Sequence, residues 1–270
     1  MSERPQRPVT VATLRRMKAE GRKIAALTAY DSTFTHVLEE AGVDVILVGD
    51  SLGMVVQGRS DTLAVTVEDM VYHTQAVRRA RRCSLVIADL PFMSYVDEPQ
   101  ALATAARLVK EGGAHMVKLE GGSGQQEAVR RLSEQGVPVC AHLGLQPQSV
   151  HKLGGYRVQG RDADAAARME ADAQALQAAG ADLLVLECVP RELGRQISDA
   201  LEIPVIGIGA GAEVDGQVLV LHDMLGITPG QVPRFARNFM QGADSIGQAV
   251  EQYVTAVREG TFPGPEHGFD

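Results

Sequence analysis

The stretch AGVDVILVGD, residues 41–50, decides the fold, because the chain writes its pattern three times. GGAHMVKLE at 112–120 and AGADLLVLE at 179–187 keep the same order: a glycine, a short step, an apolar run and a terminal acid. A glycine in that place reads as the left-handed residue that ends a helix, so each copy is a helix turning into a buried strand. The terminal acids Asp50, Glu120 and Glu187 raise a second question. An ionised carboxylate at the end of an apolar strand needs a loop, a partner or a metal to be tolerated.

Between the three copies lie SLVIAD (84–89), VPVCAH (137–142) and IPVIGIG (203–209), which are rich in Val and Ile and mostly apolar on both faces. That is the signature of parallel strands covered by helices. KIAALTAYD at 23–31 and a strand near GQVLVLH, 216–222, bring the expected number to eight. Helices are predicted over 31–41, 66–82, 97–111, 123–135, 161–179 and 190–201, with the region from about 231 to Gly260 helical as well. The second of these starts at Thr66, with acids in its first turn. Alternation of this kind predicts an α/β chain folded as one (β/α)8 TIM barrel over residues 1–270, with an open doubly wound sheet as the competing arrangement. TVATLRRMKAEG, 10–21, reads as an extra N-terminal helix able to cover the barrel's N-terminal end.

Composition narrows the function. With 270 residues, 45% hydrophobic, 22% charged and a net charge of −8, the chain has no broad basic field for nucleic acid. Its one basic run, RRARR at 78–82, reads as a solvated helix end. No apolar run approaches the ~20 residues of a membrane span, and MSERPQRPVT lacks the apolar core of a signal peptide, so a cytoplasmic location is expected. Cys83, Cys140 and Cys188 show no metal spacing and fit reduced thiols.

In a parallel barrel every strand C-terminus meets at one mouth, so Asp50, Asp89, Glu120, His142 and Glu187 are expected to converge there. Any one acid at such a junction can serve as a helix cap; three carboxylates around one cavity repel unless a cation holds them. An all-oxygen set without a cysteine or multi-histidine cluster suits Mg²⁺. Lys118, two residues before Glu120, shares its strand face and is placed to meet an anion. Ser51 reads either as a donor to substrate or as a cap, and His142 either as a substrate or supporting contact or as a satisfied structural group. GIGAG (207–211) allows close approach to an anion, LGGYRVQGR (153–161) has the glycines of a closing loop, and Met54, Met70, Met93 and Met116 read as packing.

LTAYD (27–31), VILVGDSLGMVVQG (45–58), TVEDMVYHTQAVRR (66–79), VIADLPFMSY (86–95), KEGGAHMVKLEGG (110–122), AHLGLQPQSVHKLGGYRVQGR (141–161), LVLECVP (184–190) and GIGAGAEVDGQVLVLHD (207–223) together resemble the ketopantoate hydroxymethyltransferase family, from about residue 8 to residue 262. The resemblance implies a barrel of the phosphoenolpyruvate-mutase type. It implies transfer of the one-carbon unit of 5,10-methylenetetrahydrofolate to 3-methyl-2-oxobutanoate, the first step of pantothenate biosynthesis. On that basis Asp50, Asp89 and Glu120 fall on the metal-site motifs, with Asp50 and Asp89 also beside the substrate. Ser51 and Lys118 fall on the keto-acid contacts, and Glu187 on the catalytic base. An apolar strand end would let Glu187 exchange a proton near neutral pH. The resemblance further implies one Mg²⁺ per subunit, small-molecule substrates, and a homo-oligomer, commonly a decamer. The sequence departs from the family pattern at Ala212-Glu213-Val214 and at His115, where a small or acidic residue is common. A Mg²⁺-dependent 2-oxo acid C–C lyase or mutase on the same barrel is the alternative activity, and a non-catalytic binding barrel the alternative class.

Overall fold

Gly42, Gly113 and Gly180, the glycines of the repeated pattern, all have left-handed backbones, at φ 81°, 82° and 104°. Each ends a helix and turns the chain into a strand, as the sequence pattern predicts. The structure, a computed structural model, describes residues 7–270. Its strands are β1 (Ile24–Thr28), β2 (Val45–Val48), β3 (Leu85–Asp89), β4 (Met116–Glu120), β5 (Val139–Gly144), β6 (Leu183–Glu187), β7 (Val205–Ile208) and β8 (Gly216–Leu219). All neighbours are parallel, and β8 pairs back onto β1 with Ile24 opposite Gly216, so the sheet is a closed barrel and the open-sheet alternative falls.

The outer helices are α1 (Val11–Ala19), α2 (Ser32–Ala41), α3 (Leu52–Val55), α4 (Val67–Ala80), α5 (Glu98–Arg107), α6 (Gln126–Glu134), α7 (Val150–Leu153), α8 (Ala163–Ala178), α9 (Arg191–Ala200), α10 (Leu221–Met224) and α11 (Ile246–Arg258). Thr66 and Asp69 form a capping box at the start of α4. One predicted helix is shorter than expected. Residues 231–245 carry no helix, because Pro229, Gly230, Pro233 and Gly242 interrupt the pattern, and α11 begins only where the Ser245 hydroxyl accepts the Gln248 N–H. The segment is held by packing instead: Phe239 stacks edge-on against Tyr253 and Phe262. No helix bridges β7 and β8. The GIGAG glycines Gly209 and Gly211, at φ 68° and 86°, let residues 209–215 double straight back to the foot of β8.

At the N-terminal end a fourfold device holds the barrel. The residue just before each even strand receives an N–H from the start of the preceding odd strand. Asp44 accepts from Ala25 (3.0 Å), His115 Nδ1 from Val86 (3.0 Å), Asp182 from Val139 (3.4 Å) and Asp215 from Val205 (2.8 Å). The extra helix α1 does cover this end: Arg15 pairs with Asp182 at 2.8 Å and Lys18 with Asp215 at 2.7 Å. His115, the departure from the family pattern, is therefore a neutral acceptor doing in one quarter what an aspartate does in the other three.

Burial, then Arg81 and Arg78, press the His115 imidazole down to a pKa of about 4. The folded state thus resists protonation while the unfolded chain takes it up near pH 6.5, so this site contributes stability above that pH that is lost as pH falls toward 4. His115→Asp keeps the acceptor without the imidazole. Thermal melts from pH 7 to pH 4.5 should show the variant losing less stability than the native protein; parallel curves would remove His115 from the acid response.

Candidate active site

The barrel register brings the predicted strand-end residues to one mouth. Asp89 stands opposite Lys118 and Glu120 opposite His142, so four polar side chains from β3, β4 and β5 lie side by side, all buried. Lys118 Nζ lies 3.0 Å from Asp89 Oδ1 and 3.3 Å from His142 Nδ1. Asp50, two residues beyond β2, donates its backbone N–H to Asp89 Oδ2 at 3.1 Å. His142 stands between two acids, Nδ1 3.6 Å from Glu120 Oε1 and Nε2 3.4 Å from Glu187 Oε2, the second contact outside hydrogen-bond alignment. Glu187 ends β6 and is the most open of these acids, its side chain 14% exposed against 3% for Glu120. The apolar enclosure expected from LLVLE does not surround its carboxylate, which faces the mouth.

The chain turns sharply just past Glu187. Cys188 has a left-handed backbone at φ 48°, a conformation that costs a β-carbon-bearing residue about 1–3 kcal/mol and persists where surrounding bonds enforce it. Here the Cys188 N–H is held by Ile208 O and the Cys188 carbonyl by the Gln159 N–H. The carbonyl of Glu187 also receives the Leu145 N–H, so the acid projects from a fixed corner.

The electrostatics reflect crowding. Burial, then Asp89 and Glu120, push the Asp50 carboxyl well above the ordinary carboxylate range, and burial also raises Asp89 against the pull of Lys118. Glu120 goes the other way: despite burial, His142 and Lys118 hold it low. Lys118 is held firmly protonated, its burial outweighed by Asp89, Glu120 and Asp50. Burial and Lys118 lower His142, yet Glu120 and Glu187 carry its pKa up to about 9. Among the described residues no three His, Cys, Asp or Glu side chains close on one point as a ready chelate. Asp50 and Asp89 are linked through the Asp50 N–H, and Asp89 Oδ1 is buried without an aligned hydrogen bond.

Ser51 precedes α3 but makes no side-chain cap; its hydroxyl bonds the Tyr30 hydroxyl at 2.8 Å, so the capping role is not the one it plays. Residues 153–161 do reach across the mouth, with the Tyr156 hydroxyl 3.7 Å from Met54 Sδ on the β2 side. Met70 and Met116 are core residues, whereas Met54 and Met93 are exposed. Three polar residues at the mouth had no sequence signal that singled them out: Tyr30, Tyr95 and Gln148. They are uncharged and sit in loops.

Fold and mouth together define a closed (β/α)8 barrel with its buried polar residues gathered at the C-terminal ends of the strands. A solved 2,3-dimethylmalate lyase of the PEP mutase/isocitrate lyase superfamily superposes with a TM-score of 0.58 at 21% identity, covering 80% of this chain and 82% of that one. The family profile described as ketopantoate hydroxymethyltransferase matches residues 8–265, and the chain belongs to that family. It is 66% identical over 264 residues to a 3-methyl-2-oxobutanoate hydroxymethyltransferase of Alkalilimnicola ehrlichii, covering 98% of this chain and 95% of that protein. It is 63% identical to one of Halorhodospira halophila, covering 97% and 95%. Among the described residues no helix is long and apolar enough to cross a membrane.

Proposed function

We propose that the chain transfers a hydroxymethyl group from 5,10-methylenetetrahydrofolate to 3-methyl-2-oxobutanoate, giving 2-dehydropantoate (ketopantoate). The observation that carries this reading is the gathering of Asp50, Asp89, Glu120, Lys118, His142 and Glu187 at one buried mouth in a chain so similar to enzymes of that name. The residues fit a divalent ion. Mg²⁺ needs only one or two protein carboxylates, so Asp50 and Asp89, with Glu120 on the neighbouring strand end, would hold it. When bound, Mg²⁺ supplies Lewis-acid polarisation of the keto oxygen.

The protein side of the reaction follows from the geometry. Asp50 and Asp89 would hold the ion, Lys118 offsets the substrate carboxylate, and Ser51 donates to it through a hydroxyl that is hydrogen-bonded to Tyr30. Glu187 takes the C3 proton, and the C3 electron pair forms the new C–C bond to the one-carbon unit. Water supplies the hydroxyl oxygen and tetrahydrofolate leaves. His142 stands behind Glu187, its Nε2 3.4 Å from the carboxylate. The reading carries with it a cytoplasmic homo-oligomer, a decamer by family resemblance, which light scattering measures directly.

Incubating the protein with both substrates and detecting ketopantoate by mass spectrometry tests the activity. Treatment with a chelator should abolish turnover, and Mg²⁺ should restore it. Full turnover by the chelated protein would end the metal assignment while leaving the transferase reading to the product assay.

A further inference from the structure

Gln148 is a buried amide in the turn after β5, 6% exposed, and its side-chain amide and backbone N–H are all hydrogen-bonded. It lies in a short turn, Pro147–Ser149, just past β5. Its Nε2 donates to Asp50 Oδ2 at 2.8 Å and to Leu90 O at 2.9 Å. Its own N–H donates to Glu120 Oε2 at 3.0 Å, and its Oε1 accepts from the Tyr95 hydroxyl. The Leu90 carbonyl can only accept, which fixes the amide with its nitrogen toward Asp50. One residue therefore ties together the ends of β2, β3 and β4, through two of the four acids at the mouth and the Leu90 carbonyl.

Gln148 also sits at the root of the segment that crosses the mouth, through α7 and on to Tyr156. Wherever that segment goes, its first turn is bonded to the Asp50 and Glu120 carboxylates. Hydrogen bonds to a charged acceptor are worth more than neutral ones, and a buried acceptor left without its donor bears the full desolvation cost.

We propose that Gln148 is the positioning residue of the cation site: it holds Asp50 and Glu120 in the places from which they take up a divalent ion, and links that arrangement to the loop over the mouth. The proposal rests on the functional reading above.

The test uses Mn²⁺ as the probe, titrated into metal-free protein by calorimetry, alongside steady-state kinetics at rising Mn²⁺. Gln148→Met keeps the length of the side chain and removes both amide groups. Its Mn²⁺ dissociation constant should rise on the order of 10-fold or more. Turnover should recover toward the native value as Mn²⁺ is raised, a rescue that a folding lesion would not show. Tyr95→Phe, which frees only the far side of the amide, should weaken Mn²⁺ binding about 3-fold, and it decides the matter alone if Gln148→Met does not fold. Native Mn²⁺ affinity in both variants, or weakened binding that excess Mn²⁺ does not relieve, overturns the proposal. Absence of Mn²⁺ binding by the native protein would instead defeat the metal reading on which it rests.

Discussion

Asp50→Asn is expected to abolish turnover and, in metal-free protein, to raise the thermal midpoint. The carboxyl of Asp50 is held well above its ordinary range by burial and by Asp89 and Glu120, so the folded state binds its proton more tightly than the unfolded chain does. Stability from such a group is present at low pH and is lost as pH rises through the folded pKa, which means the ionised form works against folding at neutral pH. Asn keeps the shape and can still accept from Gln148 Nε2, but carries no charge. Added Mg²⁺ should then stabilise the native protein and leave the variant unchanged, because an ion that binds only the folded state shifts stability by mass action.

Lys118→Met is the opposing half of the same prediction. Lys118 faces Asp89 at 3.0 Å and is buried among three acids, so removing it strands carboxylates without their cation. Breaking one side of a buried pair costs about 3–5 kcal/mol. Two substitutions in one nest, one stabilising and one destabilising and both inactivating, separate a site built for a metal from a cluster built for stability. If Asp50→Asn lowered the metal-free midpoint as much as Lys118→Met does, the acids would be structural partners and the crowding would have another cause.

How much of this was legible in the sequence depends on which physical signal carried it. The barrel was legible because its cue is local and repeated: Gly42, Gly113 and Gly180 each need a left-handed backbone, and each precedes a buried run ending in an acid. Strand parity carried Lys118 beside Glu120, and the mouth carried the convergence of five residues far apart in the chain. Residues 231–245 differ from the expected helix because Pro233 and Gly242 interrupt it and Phe239 is held instead by a tertiary partner, the Tyr253 and Phe262 rings. Gln148 was illegible for a different reason. An uncharged amide between Pro147 and Ser149 carries no sign of burial, and its importance lies in partners 28 and 98 positions away, Glu120 and Asp50. His115 shows the same limit. Its role becomes visible only when Asp44, Asp182 and Asp215 are seen in equivalent places at the foot of the barrel.

Glu187→Gln separates proton transfer from binding, because it is expected to lower the rate far more than the affinity. Glu187 is the most exposed of the acids at the mouth, and among the described residues no lysine or arginine pairs with it; the His142 imidazole stands behind it at 3.4 Å. That is what a proton acceptor needs: access to the substrate on one side and a partner that fixes its orientation on the other. Gln fills the same space and still meets His142, yet cannot take a proton. Keto-acid affinity should change by about 10-fold or less while turnover falls by roughly 10²–10⁴. The same variant should lose exchange of the C3 proton of 3-methyl-2-oxobutanoate with solvent deuterium, followed by NMR in D₂O, because that exchange needs only the first proton transfer and not the folate. Undiminished exchange in Glu187→Gln would assign the base to another group and leave Glu187 to hold His142.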